Sequence, residues 1–331
     1  MTTFKAYEVS EIGEKEFAGA VVEKELADLP DNDVLIQVKY SSLNYKDALS
    51  ASGNKGVTRN YPHTPGIDAA GVVVSSADGQ HIEGAEVLVI GYDLGMNTSG
   101  GFGQYIKVPA SWVVPLPDGL DFADAMRLGT AGFTAALCVE KLIHNGVSRD
   151  SGAVLVTGAT GGVGIVAVML LSQLGFDVTA STGKSSSHEF LKSCGAAEVI
   201  DRAELSEQTS KPLLAERWAG AVDVVGGATL CNVIKSLRYG ASVSACGLVQ
   251  SPQLEASVLP FILRGVNLLG VDSVELPLPI KQALWKKLAG EWKLGNLHSI
   301  SEEISLSELD ASLKQVLSGQ AQGRFLLNLE S

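Results

Sequence analysis

The chain has 331 residues, 46% of them hydrophobic, and 36 glycines, which suits two domains and an α/β enzyme with tight turns. Its formal net charge of −12 disfavours nucleic acid or an anionic membrane surface as a general partner. The N-terminal residues read as a strand rather than a secretory leader, and no apolar run is long enough to span a bilayer. The cysteines are Cys138, Cys194, Cys231 and Cys246, without a CxxC pair. We therefore expect a cytoplasmic protein with reduced thiols.

The first part of the chain, to about residue 117, is rich in short strands and turns. Strand-like runs cover residues 34–40, 71–74, 86–90 and 105–108. Proline and glycine turns such as Leu29-Pro30-Asp31 and Thr64-Pro65-Gly66 separate them. Many short strands with frequent turns predict a small barrel-like β domain.

The pattern changes near Asp121 to alternating helices and strands. Residues 122–142 read as a helix that is broken at 129–132. Strands are then predicted at 153–156, 178–181, 198–200, 221–225, 241–245 and 267–271, and helices at 165–174, 188–193 and 230–237. This alternation predicts a doubly wound parallel sheet. Beyond it we expect helices at 280–291 and 307–317, an extended segment at 302–304, and a closing strand at 324–329 that returns to the first domain.

A glycine-rich turn follows the strand at 153–156. The turn reads GATGGVG from Gly158 to Gly164, and an apolar helix and a second strand follow it. Glycine lets the backbone approach a pyrophosphate, and the helix start directs N–H groups toward that anion. The first glycine of the usual G-x-G-x-x-G spacing is replaced by Ala159, so a plain turn is the alternative. The strand–turn–helix–strand context predicts a dinucleotide site.

The end of the second strand indicates which dinucleotide is bound. An NAD site usually has a carboxylate about 20 residues beyond the glycine turn. Here the chain reads Ser181-Thr182-Gly183-Lys184, and the next carboxylate is Glu189. Hydroxyls and a lysine suit a 2′-phosphate, and Arg202 is a second candidate cation. The sequence therefore predicts NADPH rather than NADH, with a merely solvated Lys184 as the alternative.

Eight motifs along the whole chain resemble one enzyme family. They are SSLNYKDAL (41–49), PGID (65–68), LGTAGFTA (128–135), WAGAVD (218–223), ACGL (245–248), FILRGV (261–266), VDSV (271–274) and QGR (322–324). Together they resemble the medium-chain dehydrogenase/reductase superfamily, in its zinc-independent branch of acrylyl-CoA reductases and quinone oxidoreductases. The resemblance implies an α/β fold with a doubly wound Rossmann domain, residues 124–297, inserted into a GroES-like β-barrel domain, residues 1–123 completed by 298–331.

The resemblance also implies that no metal takes part. The zinc alcohol dehydrogenases of the superfamily have a cysteine in the segment that corresponds to residues 41–47, and Gly-His-Glu where this chain has Gly66-Ile67-Asp68. The thiolate and imidazole that a catalytic zinc requires are missing from both places. Reduction of an activated C=C bond needs only a hydride, a donor to the developing enolate and a proton.

The resemblance places the catalytic residues at Asn44, Tyr45 and Asp47. Tyr45 would contact the cofactor near the nicotinamide, and its phenol is a candidate donor to the substrate carbonyl or, through a water, to the α-carbon. Asn44 would fix the ribose or the carboxamide, while Asp47 would hold the loop, with Lys46 able to neutralise its charge. The alternative is that Asn44 and Asp47 only form a turn and that Tyr45 packs at a domain seam.

Matching motif positions gives the remaining candidate site residues. The diphosphate contacts would be Thr160, Gly161, Gly162 and Val163, and the 2′-phosphate contacts Thr182, Gly183, Lys184 and Arg202. Leu248, Ile262 and Ser273 would line the nicotinamide side, although core packing is an equal alternative for Leu248 and Ile262. Arg324 is a candidate anion contact or a solvated strand-end arginine. Lys55 and Arg59 are candidate contacts for the phosphates of a CoA substrate.

These residues predict an NADPH-dependent reductase of a small α,β-unsaturated acyl-CoA, with acrylyl-CoA giving propionyl-CoA. A quinone or enone oxidoreductase is the alternative activity, and an NADPH-binding sensor without turnover is the alternative class. The strand-like segment 267–274 carries a flat apolar run that would leave an exposed sheet edge in a monomer. We therefore expect a homodimer.

Overall fold

The computed structural model describes residues 2–77, 79, 81–207 and 209–330. Its chain forms two compact units. One unit contains the residues up to 130 and those from 274 onward, and the other contains residues 131–273. The domain bounds that the resemblance implies, 123/124 and 297/298, stay a prediction. The helix at 278–289 packs against the strand at 114–115 of the first unit, which is why the structural crossing precedes that helix.

The elements are numbered in chain order. The strands are β1 (Thr3–Gly13), β2 (Glu16–Glu25), β3 (Val34–Ser42), β4 (Asp68–Ser76), β5 (Glu86–Ile90), β6 (Tyr105–Val108), β7 (Val114–Pro115), β8 (Val154–Val156), β9 (Val178–Thr182), β10 (Glu198–Asp201), β11 (Trp218–Asp223), β12 (Leu237–Ala245), β13 (Asn267–Gly270), β14 (Ser301–Ile304) and β15 (Arg324–Asn328). The helices are α1 (Tyr45–Ala51), α2 (Phe122–His144), α3 (Gly162–Gln173), α4 (His188–Ser193), α5 (Ala203–Ser206), α6 (Gly227–Ser236), α7 (Leu259–Arg264), α8 (Leu278–Ala289) and α9 (Leu309–Leu317).

The first unit is built on a seven-stranded sheet with the order β14-β15-β3-β4-β5-β7, in which β6 also pairs with β3. A separate antiparallel ribbon of β1 and β2 accompanies it. The C-terminal strand β15 runs antiparallel to β3, with Leu326 opposite Ser42. The predicted return of the closing strand to the first domain is therefore confirmed. Apolar side chains of the strands, among them Ile36, Val89 and Leu327, form the core.

The second unit contains a six-stranded parallel sheet in the order β10-β9-β8-β11-β12-β13. The direction of strand addition reverses between β8 and β11, which is the switch point of a doubly wound fold. The central strand β8 is a buried apolar run, as expected where a parallel sheet is covered on both faces, whereas β9 carries buried threonine and serine side chains as well. Leu155, Trp218 and Val233 lie in this core. The predicted fold class, a Rossmann-type sheet with a GroES-like domain, is confirmed.

Some local elements differ from the sequence pattern. The predicted break in α2 is present at Gly129, which has φ 52° and ψ −158°. The strand β2 and the helices α1 and α7 were not predicted, because α1 and α7 are short and β2 has no strongly apolar face. In the part of the chain that the structure describes, no helix is both long and apolar enough to cross a membrane.

Candidate active site

The segment with Asn44, Tyr45 and Asp47 forms the start of α1. Asn44 is the N-cap residue in an extended conformation, and Tyr45 is the first helical residue. The Asn44 backbone N–H donates to Asp47 Oδ2 at 2.8 Å, and the Ile67 N–H donates to Asp47 Oδ1 at 2.9 Å. Asp47 therefore caps the helix and also holds the Pro65–Asp68 loop against it. A role for Asp47 in the reaction stays a prediction.

Asp68, the first residue of β4, lies buried next to this helix start. Its Oδ2 accepts hydrogen bonds from Ser42 Oγ at 2.6 Å, Asn44 Nδ2 at 2.7 Å and the Thr130 N–H at 2.9 Å. Its Oδ1 accepts from Thr130 Oγ1 at 2.5 Å. Four donors around one carboxylate fix the Asn44 side chain and the backbone at Thr130 at the same time.

Arg324 completes the buried cluster. The pairing of β15 with β3 brings it beside the start of α1, where only 3% of its surface is exposed. Its Nη1 donates to the Leu43 carbonyl at 3.0 Å, and its Nη2 donates to Ser42 Oγ at 2.9 Å. Its Nε donates to the Arg127 carbonyl at 3.0 Å. A solvated strand-end arginine, one of the two sequence-based alternatives, is wrong. A contact between Arg324 and a cofactor stays a prediction.

Burial governs the titration of this cluster, which we call the Asp47–Asp68–Arg324 cluster. Burial, and then the charge of Asp68, raises the pKa of Asp47 to about 7. Burial also lowers the pKa of Arg324, against the opposing effect of Asp68 and Asp47. Because the pKa of Asp47 lies near neutrality, Asp47 can hold or release a proton at neutral pH.

Tyr45 is the exposed member of this region. Its side chain is 39% exposed, while Asn44 and Asp47 beneath it are buried. The cluster therefore fixes the first turn of a short helix and leaves a phenol accessible. Such an arrangement can present a hydrogen-bond donor to a bound molecule without moving its support.

One member of the cluster, Asp68, and two of its hydrogen-bond partners, Ser42 and Thr130, were not among the predicted site residues. The signal for Asp68 was a carboxylate at the start of an otherwise apolar strand. The sequence signal for Thr130 was the adjacent Gly129 within a helical pattern; in the structure an added Cβ there would lie 2.3 Å from Ser42 Oγ and 2.5 Å from Asp68 Oδ2. A glycine that must leave room for buried polar groups marks a crowded polar site.

The second unit carries the predicted diphosphate loop. Gly158 has a left-handed φ of +58°, and an added Cβ on Gly164 would lie 2.4 Å from the Gly158 carbonyl oxygen. The turn therefore packs directly under the first turn of α3, whose N-cap is Gly161. Thr160, Gly161, Gly162 and Val163 lie at this helix start, where N–H groups without intrahelical partners favour an anion. The residues present fit a pyrophosphate.

Thr182, Gly183 and Arg202 lie together at the ends of β9 and β10. The Arg202 N–H donates to the Thr182 carbonyl at 3.0 Å, and the Lys184 N–H donates to Thr182 Oγ1 at 3.1 Å. The Arg202 side chain covers Gly183, since an added Cβ there would lie 2.4 Å from Arg202 Nε. The structure therefore brings a hydroxyl and a guanidinium to the place where a ribose 2′-phosphate is expected.

A buried polar pair at the switch point was missed by the sequence reasoning. Thr157, which follows β8, donates from Oγ1 to Asp223 Oδ1 at 2.7 Å, and Asp223 is the last residue of β11. Asp223 Oδ2 also accepts the Gly226 N–H at 2.8 Å. The pair fixes the turns after β8 and β11, the position where open α/β sheets bind ligands.

The residues predicted for the nicotinamide side are divided between surface and interior. Leu248 is 58% exposed and Ile262 is 70% exposed, so core packing, the alternative for both, is wrong. Ser273 is buried, and its Oγ lies 2.8 Å from Thr134 Oγ1. All three belong to the second unit. Their contact with a cofactor stays a prediction.

The two predicted CoA contacts lie in the loop after α1. The Lys55 ammonium lies over the rings of Tyr61 and Phe17, 4.6 and 5.3 Å from their centroids, and 3.5 Å from Glu11 Oε2. Arg59 is exposed. Both cations therefore face solvent, although Lys55 also forms an ion pair with Glu11. Among the described residues, no three or more His, Cys, Asp or Glu side chains group as metal ligands would.

The comparison with known proteins identifies the class of protein. The family model "Alcohol dehydrogenase GroES-like domain" matches residues 30–118, and the model "Zinc-binding dehydrogenase" matches residues 162–289. The chain belongs to the medium-chain dehydrogenase/reductase superfamily of oxidoreductases, and the resemblance seen in its motifs is confirmed.

Individual relatives show which branch of the superfamily this chain is similar to. YhfP of Bacillus subtilis, whose name proposes a quinone oxidoreductase, is 47% identical over 303 residues, 91% of this chain and 92% of YhfP. Acrylyl-CoA reductase AcuI of Ruegeria pomeroyi is 44% identical over 312 residues, 94% of each chain. The structure of YhfP with NAD bound has a TM-score of 0.96 at 44% identity and covers 99% of this chain and all of that one. Escherichia coli YhdH with bound NADPH has a TM-score of 0.95 at 42% identity, covering 98% and 99%.

Proposed function

We propose that this protein is an NADPH-dependent, zinc-independent reductase of a small α,β-unsaturated acyl-CoA, with acrylyl-CoA reduced to propionyl-CoA. The observation that carries the reaction type is the half-exposed Tyr45 phenol on a helix start that the buried Asp47–Asp68–Arg324 cluster fixes. The similarity to AcuI over 94% of the chain supports the acceptor.

The residues of the second unit support NADPH as the cofactor. The glycine turn and the start of α3 would hold the diphosphate, and Thr182, Lys184 and Arg202 would hold the 2′-phosphate. NADPH, when bound, supplies a hydride. The exposed apolar side chains of Leu248 and Ile262 suit contact with a flat aromatic ring. The NADPH that is bound in YhdH supports the same choice, whereas the NAD bound in YhfP makes cofactor preference a necessary measurement.

The chain's own chemical contribution is a proton and a hydrogen bond. A hydride added to the β-carbon leaves negative charge on the thioester oxygen and the α-carbon. The Tyr45 phenol would donate to that oxygen or protonate the α-carbon through a water, so that each C=C bond takes up one hydride and one proton. Asn44, held by Asp68, would orient the ribose or the carboxamide. Since Asp47 is buried beneath Tyr45, it would keep the helix in place rather than contact the substrate.

Two exposed cations support an acyl-CoA over a small uncharged acceptor. Lys55 and Arg59 are four residues apart in one loop, and the Lys55 ammonium donates to the Arg59 carbonyl at 3.4 Å. A phosphate would compete readily with Glu11 for Lys55, because exposed ion pairs contribute little free energy. A quinone would not use either cation. The alternative activity, a quinone or enone reductase, is favoured by the name of YhfP.

We also propose a homodimer that forms along β13. This strand pairs only with β12 in the described sheet, and Leu268 on it is partly exposed. An edge strand with exposed apolar side chains readily pairs with a second copy of itself. Light scattering coupled to size-exclusion chromatography would give twice the mass of 34.6 kDa if this is correct.

The decisive experiment compares acceptors under identical conditions. Oxidation of NADPH is followed with acrylyl-CoA, crotonyl-CoA and 1,4-benzoquinone, and NADH replaces NADPH in a parallel series. The proposal requires kcat/KM for acrylyl-CoA to be the highest of the three and NADPH to be the preferred donor. A higher value for benzoquinone would establish the alternative activity, and no turnover with any acceptor would support a sensor.

A pair of substitutions tests the CoA contacts. The double variant Lys55→Ala/Arg59→Ala should raise KM for acrylyl-CoA by about tenfold, which corresponds roughly to the binding free energy of one charge-assisted hydrogen bond. The kinetics with benzoquinone should stay unchanged. Lys314→Ala, an exposed lysine on α9, is the matched control. An unchanged KM for the CoA ester would remove both residues from the substrate site.

A further inference from the structure

Lys281 is a fully buried lysine that the proposed reaction does not use. It lies in the first turn of α8, and its side chain has no exposed surface. Burying an ammonium group is costly unless its protons are bound by well-placed acceptors. Lys281 lies seven residues after Val274, where the chain returns from the second unit to the first, so its side chain can reach that returning backbone.

The ammonium group connects two separate backbone segments. Lys281 Nζ donates to the Ile90 carbonyl at the end of β5 and to the Val274 carbonyl, both at 2.9 Å. Val274 is the first residue of the returning chain in the first unit. Hydrogen bonds from a charged donor are stronger than neutral ones, so this contact holds the Val274 carbonyl firmly in place.

Tyr92 strengthens the same arrangement. Its ring lies under the ammonium, with 3.4 Å between Nζ and the ring centroid, and stacks on Trp112 with 5.4 Å between the centroids. The Tyr92 N–H donates to the same Val274 carbonyl at 3.2 Å. Tyr92 has a left-handed φ of 52°, a conformation that a tyrosine adopts only when its surroundings enforce it. The contacts with Val274 and Lys281 are such surroundings.

The residue before Val274 is Ser273, the predicted nicotinamide contact. Its hydroxyl is within 2.8 Å of Thr134 Oγ1. The Ser273–Val274 link is thus fixed by a hydroxyl pair on one side and by the Lys281 ammonium and the Tyr92 N–H on the other. The Val274 carbonyl lies in the peptide plane that joins Val274 to Glu275, so fixing it restrains the backbone dihedrals of Val274 and, through them, the preceding Ser273.

We propose that Lys281 is a positioning residue for the cofactor: by fixing the Val274 carbonyl it holds Ser273 in the orientation that contacts the nicotinamide side. The inference rests on the proposed function, because that function places Ser273 at the cofactor. Lys281 does not contact the cofactor in this proposal. It acts through one neighbouring peptide.

The test measures cofactor affinity separately from stability. In Lys281→Met the chain keeps its length and loses its charge and donors. We expect Kd for NADPH, measured by fluorescence titration well below the melting temperature, to rise by about tenfold, equivalent to about 1.4 kcal/mol. Lys286→Met, an exposed lysine on the same helix, should leave Kd within about twofold. Lys281→Arg should recover part of the affinity because it restores a charged donor.

A purely structural role predicts a different result. In that case Lys281→Met would melt at a lower temperature while Kd for NADPH stayed within about twofold of the wild-type value, and the proposal would be overturned. If Lys281→Met is not obtained folded, Tyr92→Leu removes the ring beneath the ammonium and is measured in the same way, with the same two outcomes.

Ser273→Ala separates this inference from its premise. If Ser273→Ala weakens NADPH binding and Lys281→Met does not, the Lys281 inference is wrong and the proposed cofactor site stands. If Ser273→Ala leaves Kd unchanged, Ser273 is not a contact and the inference fails together with that assignment. Neither measurement depends on the acceptor, so a failure of the acrylyl-CoA assignment leaves the result interpretable.

Discussion

Replacing Asp68 by asparagine isolates the charge of the buried cluster from its shape. The two side chains have nearly the same size, and the Asn carbonyl can still accept from Ser42, Asn44 and the Thr130 N–H. The Thr130 hydroxyl can reverse its role and accept from the new amide. The substitution Asp68→Asn therefore keeps most hydrogen bonds and removes one negative charge near Arg324.

The magnitude follows from the distance between the charges. Ser42 Oγ bridges Arg324 Nη2 and Asp68 Oδ2 through bonds of 2.9 and 2.6 Å. At a separation of about 5 Å and an effective dielectric constant of about 20, the attraction is about 3 kcal/mol. This agrees with the lower end of the roughly 3–5 kcal/mol that is lost when one partner of a buried ion pair is removed. A loss of that size corresponds to a decrease in melting temperature of about 6–12 °C.

The loss should depend on pH because Asp47 titrates near neutrality. The pKa of Asp47 is raised to about 7 in the folded protein, by burial and then by Asp68. At pH 5 Asp47 is protonated in the wild-type protein, so Asp68→Asn deprives Arg324 of its charged partner. At pH 8 Asp47 is ionised, and the substitution relieves the repulsion between two carboxylates. The free energy lost on substitution is therefore expected to be larger at pH 5 than at pH 8.

Scanning calorimetry at the two pH values gives the measurement, since it can resolve the melting of the two units. Asp124→Asn is the control: it removes a partly exposed ion pair with Arg127, for which a change below about 1 kcal/mol is expected at both pH values. A destabilisation by Asp68→Asn of less than about 1 kcal/mol at pH 5, or a larger loss at pH 8, would refute the electrostatic reasoning.

Three further substitutions test other parts of the molecule. Tyr45→Phe should lower kcat for acrylyl-CoA by at least about tenfold and leave Kd for NADPH unchanged, and full turnover would exclude the phenol as donor. Gly183→Ala should displace the Arg202 side chain and raise KM for NADPH by about tenfold but not KM for NADH, and an unchanged preference would contradict the placement of Arg202. Burial lowers the pKa of His63, so the folded state binds fewer protons than the unfolded state, and stability falls as the pH drops below about 6.5. In denaturant titrations, the free energy of unfolding of His63→Gln should fall less steeply below this pH than that of the wild-type protein. An equally steep fall in the variant would mean that another group causes the loss.

The fold could be predicted from the sequence where periodicity and glycine turns are strong. The strand β8 is a continuous apolar run, and the glycine turn at 158–164 leads directly from it into α3. The ribbon strand β2 was missed because its side chains alternate between exposed and half-buried positions, without a buried face. The contact between the Lys281 ammonium and the Val274 carbonyl, at the start of the returning chain, has no counterpart in the sequence pattern.

The candidate site was predictable only for residues that carry a local motif. Asn44 and Asp47 were found because their segment resembles a family motif, whereas the helix α1 that they begin was not predicted. Asp68, Arg324 and Lys281 act through partners that are distant in sequence: 26 residues separate Asp68 from Ser42, and 282 separate Arg324 from Ser42. No periodicity encodes such pairs, and a sequence pattern does not distinguish a buried arginine from a solvated one.

Two of the buried charged side chains of the first unit, Asp68 and Lys281, bind backbone groups at the points where the chain passes between the two units. Asp68 binds the N–H and the hydroxyl of Thr130, the last residue before the chain enters the second unit, and Lys281 binds the carbonyl of Val274, the first residue after its return. Apolar packing is not directional and leaves a peptide free to rotate, whereas a charged group fixes a particular N–H or carbonyl. Charge is thus placed at both points where the chain passes between units. If this reasoning is correct, replacing Asp68 or Lys281 by a neutral residue will raise Kd for NADPH more than the same kind of replacement at an exposed charged residue. Equal effects on Kd would mean that these two charges contribute only to stability.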